Sequence, residues 1–323
     1  MKLANIYGFL RKDLKRIENN LNGVVQAEHP ILREASTQLL KAGGKRIRPV
    51  FVLLSAQFGD YKNQDIETVA VALELIHMAT LVHDDVVDNS ELRRGKPTVK
   101  YIYGDRVAMY TGDYILARAL ETITLVKKPE VHKVLSKTLV EVVEGEIAQI
   151  KDRYVLDQEI WNYLRRIKRK TALLIATSCK LGAISAGTSE YEANKLYEYG
   201  YYIGMSFQII DDILDFTATE KELGKPTGSD LEQGHITLPV FYAMKDSIFK
   251  TKIEHLFRDQ KNINQDELAE VIDYLKQTNA IEQAYELSNR YLNKALNSLN
   301  NLPDNKVKQT LKVIAQVIGK RKF

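Results

Sequence analysis

Apolar residues recur every three to four positions along most of the chain, which is the spacing of one face of an α-helix. The stretch from Ile66 to Ile76 is an example. Alternation of apolar and polar residues, which marks a half-buried strand, is nearly absent. The seven prolines all stand where a helix can begin or a turn can form. The sequence therefore predicts an all-α fold of long helices joined by short turns, in a single large domain over residues 1–323.

Glycines mark the ends of several predicted helices, because glycine readily adopts the backbone conformation that follows a helix. Gly23 and the pair Gly43-Gly44 follow the first two helices. Residues 218–236 form the longest predicted loop and are the best candidate for a mobile lid. Helices are predicted over 2–22, 30–42, 64–89, 105–126, 130–151, 161–181 and 189–217, and over most of 237–321.

Two acidic clusters with one spacing stand at the ends of two predicted helices. Asp84, Asp85 and Asp88 form the first, and the same DDxxD pattern runs from Asp211 to Asp215. The outer carboxylates of such a cluster lie about 40° apart around a helix and repel each other, unless a hard cation such as Mg²⁺ lies between them. One such cluster is most often a solvated helix face. Two copies, each followed by Gly-Lys-Pro-Thr, indicate metal sites.

Basic residues accompany the acidic clusters. Arg93 and Arg94 follow the first cluster, and Lys170 stands where a basic helix segment becomes apolar. Lys45 and Arg48 lie at a predicted helix start, where backbone amides favour an anion, although a merely charged turn explains them equally well. Carboxylate-bound Mg²⁺ beside basic side chains is typical of a site for a phosphate ligand.

Composition narrows the class of protein. The net charge is only +4, which does not fit a nucleic-acid-binding protein. The single cysteine, Cys179, excludes an internal disulfide and lies in an apolar helical stretch. The N-terminus lacks the apolar run of a signal peptide, and no segment is expected to stay apolar over the width of a bilayer. We expect a cytoplasmic protein, with transient membrane contact if its product is greasy.

Five motifs then appear in a fixed order: GGKRIRP, DDVVD with LRRGKPT, KRKTA, FQIIDDILD and GKPTGSD. With them the chain resembles the trans-prenyl diphosphate synthases from end to end. Within that family it resembles the large, catalytic component of the two-component bacterial heptaprenyl diphosphate synthases. The resemblance implies the isoprenoid synthase fold around a deep central cavity, with the aspartate motifs facing each other across its mouth.

The implied reaction is Mg²⁺-dependent transfer of the prenyl group of an allylic diphosphate, such as farnesyl diphosphate, to isopentenyl diphosphate. The allylic C–O bond ionises, isopentenyl diphosphate attacks the carbocation, and the departing diphosphate accepts the proton. The family's short-chain members carry bulky aromatics one turn before the first cluster, where this chain has small residues. The implied product is therefore longer than twenty carbons, most simply a heptaprenyl diphosphate for the menaquinone side chain.

The resemblance also assigns residues to these steps. The Mg²⁺ ligands, for about three ions per site, are Asp84, Asp88, Asp211 and Asp215. The catalytic residues are Lys170, Thr171, Gln208 and Lys225, which together with Arg93 bind the allylic diphosphate. The isopentenyl diphosphate site consists of Lys45, Arg48, His77 and Arg94. Chain length is assigned to Ala79 and Thr80.

One position departs from the family pattern, and some alternatives stay open. His235 replaces the usual lysine, so a fixed charge becomes one that is mostly neutral at pH 7. The rival functions are a terpene cyclase and a non-catalytic subunit of a synthase. Lys45 and the second aspartate cluster argue against the cyclase, and the presence of both clusters argues against the non-catalytic subunit. A helical Ca²⁺-binding protein would need an EF-hand loop. The sequence leaves open whether the chain pairs with a small regulatory subunit or with itself.

Overall fold

The computed structural model describes residues 6–41, 43–93, 95–219, 226–260 and 262–320. These residues are almost entirely helical, which confirms the all-α prediction. The helices are α1 Arg11–Val24, α2 Pro30–Lys41, α3 Ile47–Ala56, α4 Asp65–Val87, α5 Val99–Tyr103, α6 Asp105–Ile123, α7 Pro129–Lys151, α8 Ile160–Ile167, α9 Leu173–Ser185, α10 Glu190–Thr217, α11 Ser229–Glu232, α12 Leu238–Ala243, α13 Ser247–Leu256, α14 Gln265–Gln277, α15 Ala280–Ser298 and α16 Lys306–Gly319.

A small hairpin follows α4 and was not predicted. Its strands, β1 Leu92–Arg93 and β2 Lys96–Pro97, are antiparallel, and Gly95 between them has a φ of 73°. Thr98 then caps α5, because its hydroxyl accepts the backbone N–H of Tyr101 at 3.1 Å. Strands of two residues are too short to show a period in the sequence. The first Gly-Lys-Pro-Thr motif is therefore a hairpin that leads into a helix.

The KRKTA motif was predicted inside one helix over 161–181, and it is instead a π-helical turn. This turn, Lys168–Ala172, separates α8 from α9. Helix α10 approaches it at Gly204, where a Cβ atom would lie 2.5 Å from Cα of Ala172. Single π turns inside helices often occur at functional sites. The helices predicted over 30–42, 64–89, 105–126, 130–151 and 189–217 begin and end close to their predicted limits. The helix predicted over 2–22 is different, because α1 begins only at Arg11, after a 3₁₀ turn at Gly8–Leu10, and residues 2–5 lie outside the described part.

One compact unit of the chain comprises residues 1–137, 174–197 and 301–311. Helix α4 is central to it and packs against α3 and α6. Its contact with α6 is close at Gly112, where a Cβ would lie 2.3 Å from the His83 ring. Contrary to the expectation from sequence, α4 is long and apolar enough to cross a bilayer, and 67% of that window is buried inside the protein. Its apolar composition is that of a core helix.

The second compact unit comprises residues 138–173, 198–300 and 312–323. Its core contains the apolar face of α10, including Ile209, Ile213 and Phe216, and the buried residues of α12, which packs against α15. Both units are assembled from segments that alternate along the chain. The prediction of a single domain over residues 1–323 stays a prediction.

The described end of the predicted lid is anchored. The backbone N–H of Tyr154 donates to the Gly234 carbonyl at 2.8 Å, and Nε of Arg153 donates to the Gln233 carbonyl at 2.9 Å. Gly234 has a φ of 82°, and a Cβ there would lie 2.7 Å from the Tyr154 ring. Residues 232–234 are thus held by Arg153 and Tyr154. Residues 220–225 lie outside the described part, so the mobility of the lid stays a prediction.

Candidate active site

The first aspartate cluster lies at the C-terminal end of α4. Asp84 and Asp85 belong to its last turn and Asp88 is its C-cap, with the N–H of Asp88 bonded to the Asp84 carbonyl at 2.8 Å. Asp84 and Asp88 are half-buried, whereas Asp85 is buried. Negative charge at this end of a helix opposes the helix dipole. The structure thus places two partly accessible carboxylates where the helix itself does not stabilise them.

Asp85 has a different environment from its neighbours. Nε and one terminal nitrogen of Arg93 lie 2.8 Å and 2.7 Å from Oδ1 of Asp85. Burial raises the pKa of Asp85, and the Arg93 guanidinium opposes that shift. Arg93, predicted to bind the allylic diphosphate, is therefore oriented by the middle aspartate of the first cluster. Arg94, the next residue in the predicted site, lies outside the described residues.

The hairpin after this cluster is attached to the end of α2. Nζ of Lys96 donates to the Lys41 carbonyl at 2.8 Å, and the Gln38 amide donates to the Pro97 carbonyl at 3.0 Å. These bonds fix the strand that follows Arg93. The lysine of the first Gly-Lys-Pro-Thr motif consequently has a structural partner.

The GGKRIRP motif forms the turn before α3. Lys45 is exposed and Arg48 is half-buried. Between them, Arg46 has a left-handed backbone with φ 46°, and its guanidinium contacts Glu18 at 2.8 and 2.9 Å and Glu74 at 3.0 Å. Arg46 therefore fixes the shape of the turn through ion pairs. Sequence analysis missed this role because both partners lie 28 positions away.

The remaining predicted residues of this unit lie along α4. His77 is half-buried, two turns before Asp84. The Thr80 hydroxyl donates to the His77 carbonyl at 2.8 Å, and Ala79 is 1% exposed. A larger side chain at position 79 therefore has to displace neighbouring atoms.

The second aspartate cluster lies in the last two turns of α10. Asp211 is exposed, whereas Asp215 is 1% exposed. The Asp215 carboxylate accepts the Ser229 hydroxyl at 3.1 Å and the backbone N–H of Asp230 at 3.2 Å. Both donors belong to the GKPTGSD motif. The third aspartate is thus fixed by α11, while the first faces solvent. Lys225 of the same motif lies outside the described residues.

Asp212, the middle aspartate, is buried among hydrogen-bond donors. Its Oδ2 accepts the Tyr163 hydroxyl at 2.7 Å, and its Oδ1 accepts the Gln208 amide at 2.9 Å. The pKa of Asp212 is raised to about 7, chiefly by burial and also by the charges of Asp230 and Asp211, while the two hydrogen bonds oppose the shift. Sequence analysis did not identify Tyr163, which lies 49 positions away.

The predicted catalytic residues of this unit belong to two hydrogen-bonded pairs that start from the same π turn. The Thr171 hydroxyl donates to Oε1 of Gln208 at 2.7 Å, and Nζ of Lys170 donates to Oε1 of Gln149 at 3.0 Å. Lys170 and Thr171 both stand in the π turn. Gln208 is half-buried, and its amide has two partners, Thr171 and Asp212.

His235 is also buried beside this group. Nε2 of His235 lies 3.5 Å from the Gln149 amide nitrogen. The pKa of His235 is lowered to about 3, chiefly by burial and also by the charges of Lys170, Arg153 and Arg166, while Asp230 opposes the shift. The side chain is therefore neutral at pH 7, as the sequence indicated.

We expect His235 to make the fold sensitive to acid. In the unfolded chain His235 binds a proton near pH 6.5, whereas in the folded chain it binds one only near pH 3. The free energy of unfolding therefore falls as the pH drops through this window. Urea unfolding at several pH values should show a smaller fall for His235→Gln than for wild type, with parallel curves above pH 7. His29→Gln, at an exposed histidine, is the control. Equal falls in wild type and His235→Gln would contradict the assignment.

Two further side chains that could bind a metal or react, Glu144 and Cys179, have ordinary structural environments. Glu144 pairs with Arg169 at 2.7 Å on the surface of α7. Cys179 is fully buried, and burial raises the pKa of its thiol to about 12. Neither side chain belongs to the aspartate clusters.

The clusters fit Mg²⁺ by the chemistry of their donors. Among the described residues, no three histidine, cysteine or acidic side chains gather into a closed metal cage. Mg²⁺ in proteins is commonly held by one or two carboxylates, together with water and substrate phosphates. Asp84 with Asp88, and Asp211, are carboxylates of this kind.

Comparisons with known proteins agree with this arrangement. A sequence model of the family described as polyprenyl synthetase matches residues 29–275. The chain is 54% identical to heptaprenyl diphosphate synthase component 2 of Bacillus subtilis (strain 168), over 100% of this chain and 92% of the relative. It is 55% identical to heptaprenyl diphosphate synthase component 2 of Geobacillus stearothermophilus, over 100% of both chains.

Solved structures give the same result. The crystal structure of heptaprenyl diphosphate synthase from Staphylococcus aureus has a TM-score of 0.91 and 45% identity, over 99% of each chain. Polyprenyl synthase from Caulobacter crescentus CB15, complexed with calcium and isoprenyl diphosphate, has a TM-score of 0.94 and 28% identity, over 99% of this chain and 98% of the other. These matches confirm the isoprenoid synthase fold. The chain therefore belongs to the polyprenyl synthetase family and is a trans-prenyltransferase.

Proposed function

We propose that this trans-prenyltransferase uses Mg²⁺ to join an allylic diphosphate to isopentenyl diphosphate, and that its product is heptaprenyl diphosphate. The observation that carries the proposal is the π turn, in which Lys170 lies next to Thr171 and the Thr171 hydroxyl is bonded to Gln208. It combines a cationic nitrogen for a diphosphate with oxygen dipoles for a carbocation. Ionisation of an allylic diphosphate needs both.

The metal is assigned to the carboxylates that the helices leave accessible. Asp84, Asp88 and Asp211 are the proposed ligands, and Asp215 supports the second cluster from its buried position. Bound Mg²⁺ would neutralise the charge that develops on the departing diphosphate. About three ions per diphosphate match this number of carboxylates.

The chain's own residues carry the remaining steps. Arg93, Lys170 and Lys225 bind the allylic diphosphate and hold it while its C–O bond breaks. The oxygens of Thr171 and Gln208 stabilise the carbocation. The double bond of isopentenyl diphosphate then forms the new C–C bond, and the departed diphosphate takes the proton. No protein base is required.

Isopentenyl diphosphate is assigned to the turn before α3. Lys45 and Arg48 bind its diphosphate together with His77 and Arg94. Arg46 keeps this turn in its left-handed shape through Glu18 and Glu74, so the neighbouring cations are presented from a fixed backbone.

We expect Ala79→Phe to shorten the product. Ala79 is buried one turn before Asp84, and a phenyl ring there adds bulk at the proposed floor of the chain-binding space. Product chains from the variant should be shorter by at least about one isoprene unit, because the ring takes up about 5 Å of the space along the growing chain. Thin-layer chromatography of dephosphorylated products measures this. Thr80→Phe tests the neighbouring position, Val71→Phe on the same helix is the control, and unchanged lengths in both variants would contradict the assignment.

The chain is also proposed to act with a second subunit. Relatives more than half identical to it are named component 2. Helix α7 carries an exposed apolar stripe at Val140, Val143, Ile147 and Ile150, 47–63% exposed, which a soluble monomer would leave in water. A small regulatory subunit is the proposed occupant. Size-exclusion chromatography with light scattering on the purified chain tests this. A monomer that binds a small subunit supports the proposal, whereas a homodimer would indicate that a second copy covers the stripe.

The cellular context follows from the product. A heptaprenyl diphosphate supplies the menaquinone side chain, and the synthase is placed in the cytoplasm, with transient membrane contact when the greasy product leaves. Isopentenyl diphosphate and the allylic primer are the small-molecule partners.

The direct test incubates the purified chain with farnesyl diphosphate, labelled isopentenyl diphosphate and Mg²⁺. A seven-unit product supports the proposal in full, and a product of another length overturns the chain-length assignment alone. If no product forms although diphosphate binds with Mg²⁺, adding the companion subunit should restore synthesis. Absence of Mg²⁺-dependent diphosphate binding would contradict the proposed function.

A further inference from the structure

Four side chains of the second unit, from α8, the π turn and α10, are connected by a continuous chain of hydrogen bonds. Tyr163 lies in α8, Thr171 in the π turn, and Gln208 and Asp212 on α10. The links are Tyr163 to Asp212 at 2.7 Å, Asp212 to Gln208 at 2.9 Å, and Gln208 to Thr171 at 2.7 Å. Two of its members, Thr171 and Gln208, belong to the proposed carbocation site. The other two do not.

The hydrogen bonds of this chain run from Tyr163 and Gln208 to Asp212, and from Thr171 to Gln208. The Asp212 carboxylate accepts, so the donating end of the Gln208 amide must face it. The carbonyl end of Gln208 then faces Thr171, whose hydroxyl proton is committed to it. With this proton engaged, the Thr171 oxygen presents only lone pairs to any other group that approaches. An oxygen with that orientation stabilises a cation.

Tyr163 fixes the group from the far end. Its ring is fully buried, and its hydroxyl donates to the Asp212 oxygen that Gln208 does not use. The carboxylate is thereby held in one rotamer, with its other oxygen available to the amide. Gly204 keeps α10 close to the π turn, since a Cβ there would lie 2.5 Å from Ala172. The separation between Gln208 and Thr171 is thus set by the backbone.

We propose that Tyr163 and Asp212 are positioning residues for prenyl transfer: they fix the Gln208 amide so that the Thr171 oxygen faces the carbocation with its lone pairs. This inference rests on the proposed function. It differs from a purely structural role, in which Tyr163 and Asp212 satisfy each other in the core and their loss lowers only stability.

The test uses Tyr163→Phe and two ligands bound in the presence of Mg²⁺. One ligand is an allylic diphosphate analogue with an ammonium nitrogen at the position of the reacting carbon. The other is the thiolo-diphosphate, which resists ionisation and is called the neutral ligand because its reacting carbon carries no charge. We expect about fivefold weaker calorimetric binding of the cationic ligand, the loss that one misdirected hydrogen bond produces, and unchanged binding of the neutral ligand. The kcat for transfer should fall by a similar factor, with little change in KM.

A double-mutant cycle separates positioning from structure. In a Thr171→Val background, Tyr163→Phe should cause no further loss of affinity for the cationic ligand, because the oxygen it positions is absent. Asp212→Asn is the second variant, for use if Tyr163→Phe does not fold. Asparagine has the shape of aspartate but no longer fixes the direction of the Gln208 amide, so this variant should also lose affinity for the cationic ligand alone. Tyr274→Phe is the matched control, since it removes another tyrosine–aspartate bond, to Asp246 at 3.3 Å.

Equal losses for both ligands, or the same loss in the Thr171→Val background, would show a structural role and overturn the inference. Unchanged binding in both Tyr163→Phe and Asp212→Asn would overturn it as well. If the wild-type chain binds neither ligand with Mg²⁺, the proposed function itself fails, and the inference with it.

Discussion

Asp88→Asn is expected to lower the rate of prenyl transfer about a thousandfold without weakening the fold. Asparagine keeps the size of the side chain and loses the charge that a hard cation requires. Asp88 is the C-cap of α4, where negative charge opposes the helix dipole. Neutralising it should therefore leave the free energy of unfolding unchanged, or raise it by a few tenths of a kcal/mol. Steady-state kinetics and urea unfolding measure the two effects.

Asp65→Asn is the matched control, because it makes the same change at the other end of α4. There the carboxylate interacts favourably with the helix dipole, so this variant should have a slightly lower free energy of unfolding and unchanged activity. A second readout is the rise in melting temperature when Mg²⁺ and diphosphate are added together. Asp88→Asn should lose that rise. Full activity in Asp88→Asn, or an activity loss matched by unfolding, would contradict the metal assignment.

The repeated DDxxD motif could be found from the sequence because helical spacing is local. Asp84 and Asp88 share a face of any helix that contains them, whatever packs around it. The helix itself was evident from its apolar period, and the predicted 64–89 became Asp65–Val87. Five motifs in order then supplied the family.

The roles of the middle aspartates were not available from the sequence. Nothing in the sequence distinguishes Asp85 and Asp212 from the neighbouring aspartates, yet both are buried. Asp85 orients Arg93, and Asp212 orients Gln208. Their partners are chosen by tertiary packing, which local spacing does not encode. In each motif the first carboxylate is accessible, and the second is used inside the protein.

The π turn and Arg46 illustrate two further limits. The hydrogen bonds of a π turn span one residue more than those of an α-helix. The apolar pattern across Lys168–Ala172 therefore predicts a continuous helix. Arg46 sits between two predicted phosphate ligands and looks like a third. Only the contacts with Glu18 and Glu74 show that it holds the turn.

Lys170→Met is expected to reduce kcat between about a hundredfold and a thousandfold, because one preorganised charge on the departing diphosphate is lost. Methionine retains most of the length of the side chain. Oε1 of Gln149 loses its 3.0 Å bond, and since that residue is buried, the fold should also lose about 1–3 kcal/mol. Kinetics are therefore measured well below the melting temperature, together with Mg²⁺-dependent binding of the allylic diphosphate, which should weaken.

Lys168→Met separates the two effects. Lys168 stands in the same π turn and pairs with Glu141 at 2.8 Å, with one third of its side chain exposed, so its removal takes away an equal charge at little cost in stability. We expect this variant to keep kcat within about twofold, as a surface ion pair contributes little. If both variants lost activity equally, the turn would act through its total charge. If neither did, Lys170 would be a core residue bonded to Gln149, and the diphosphate would have to be held by other cations of the chain.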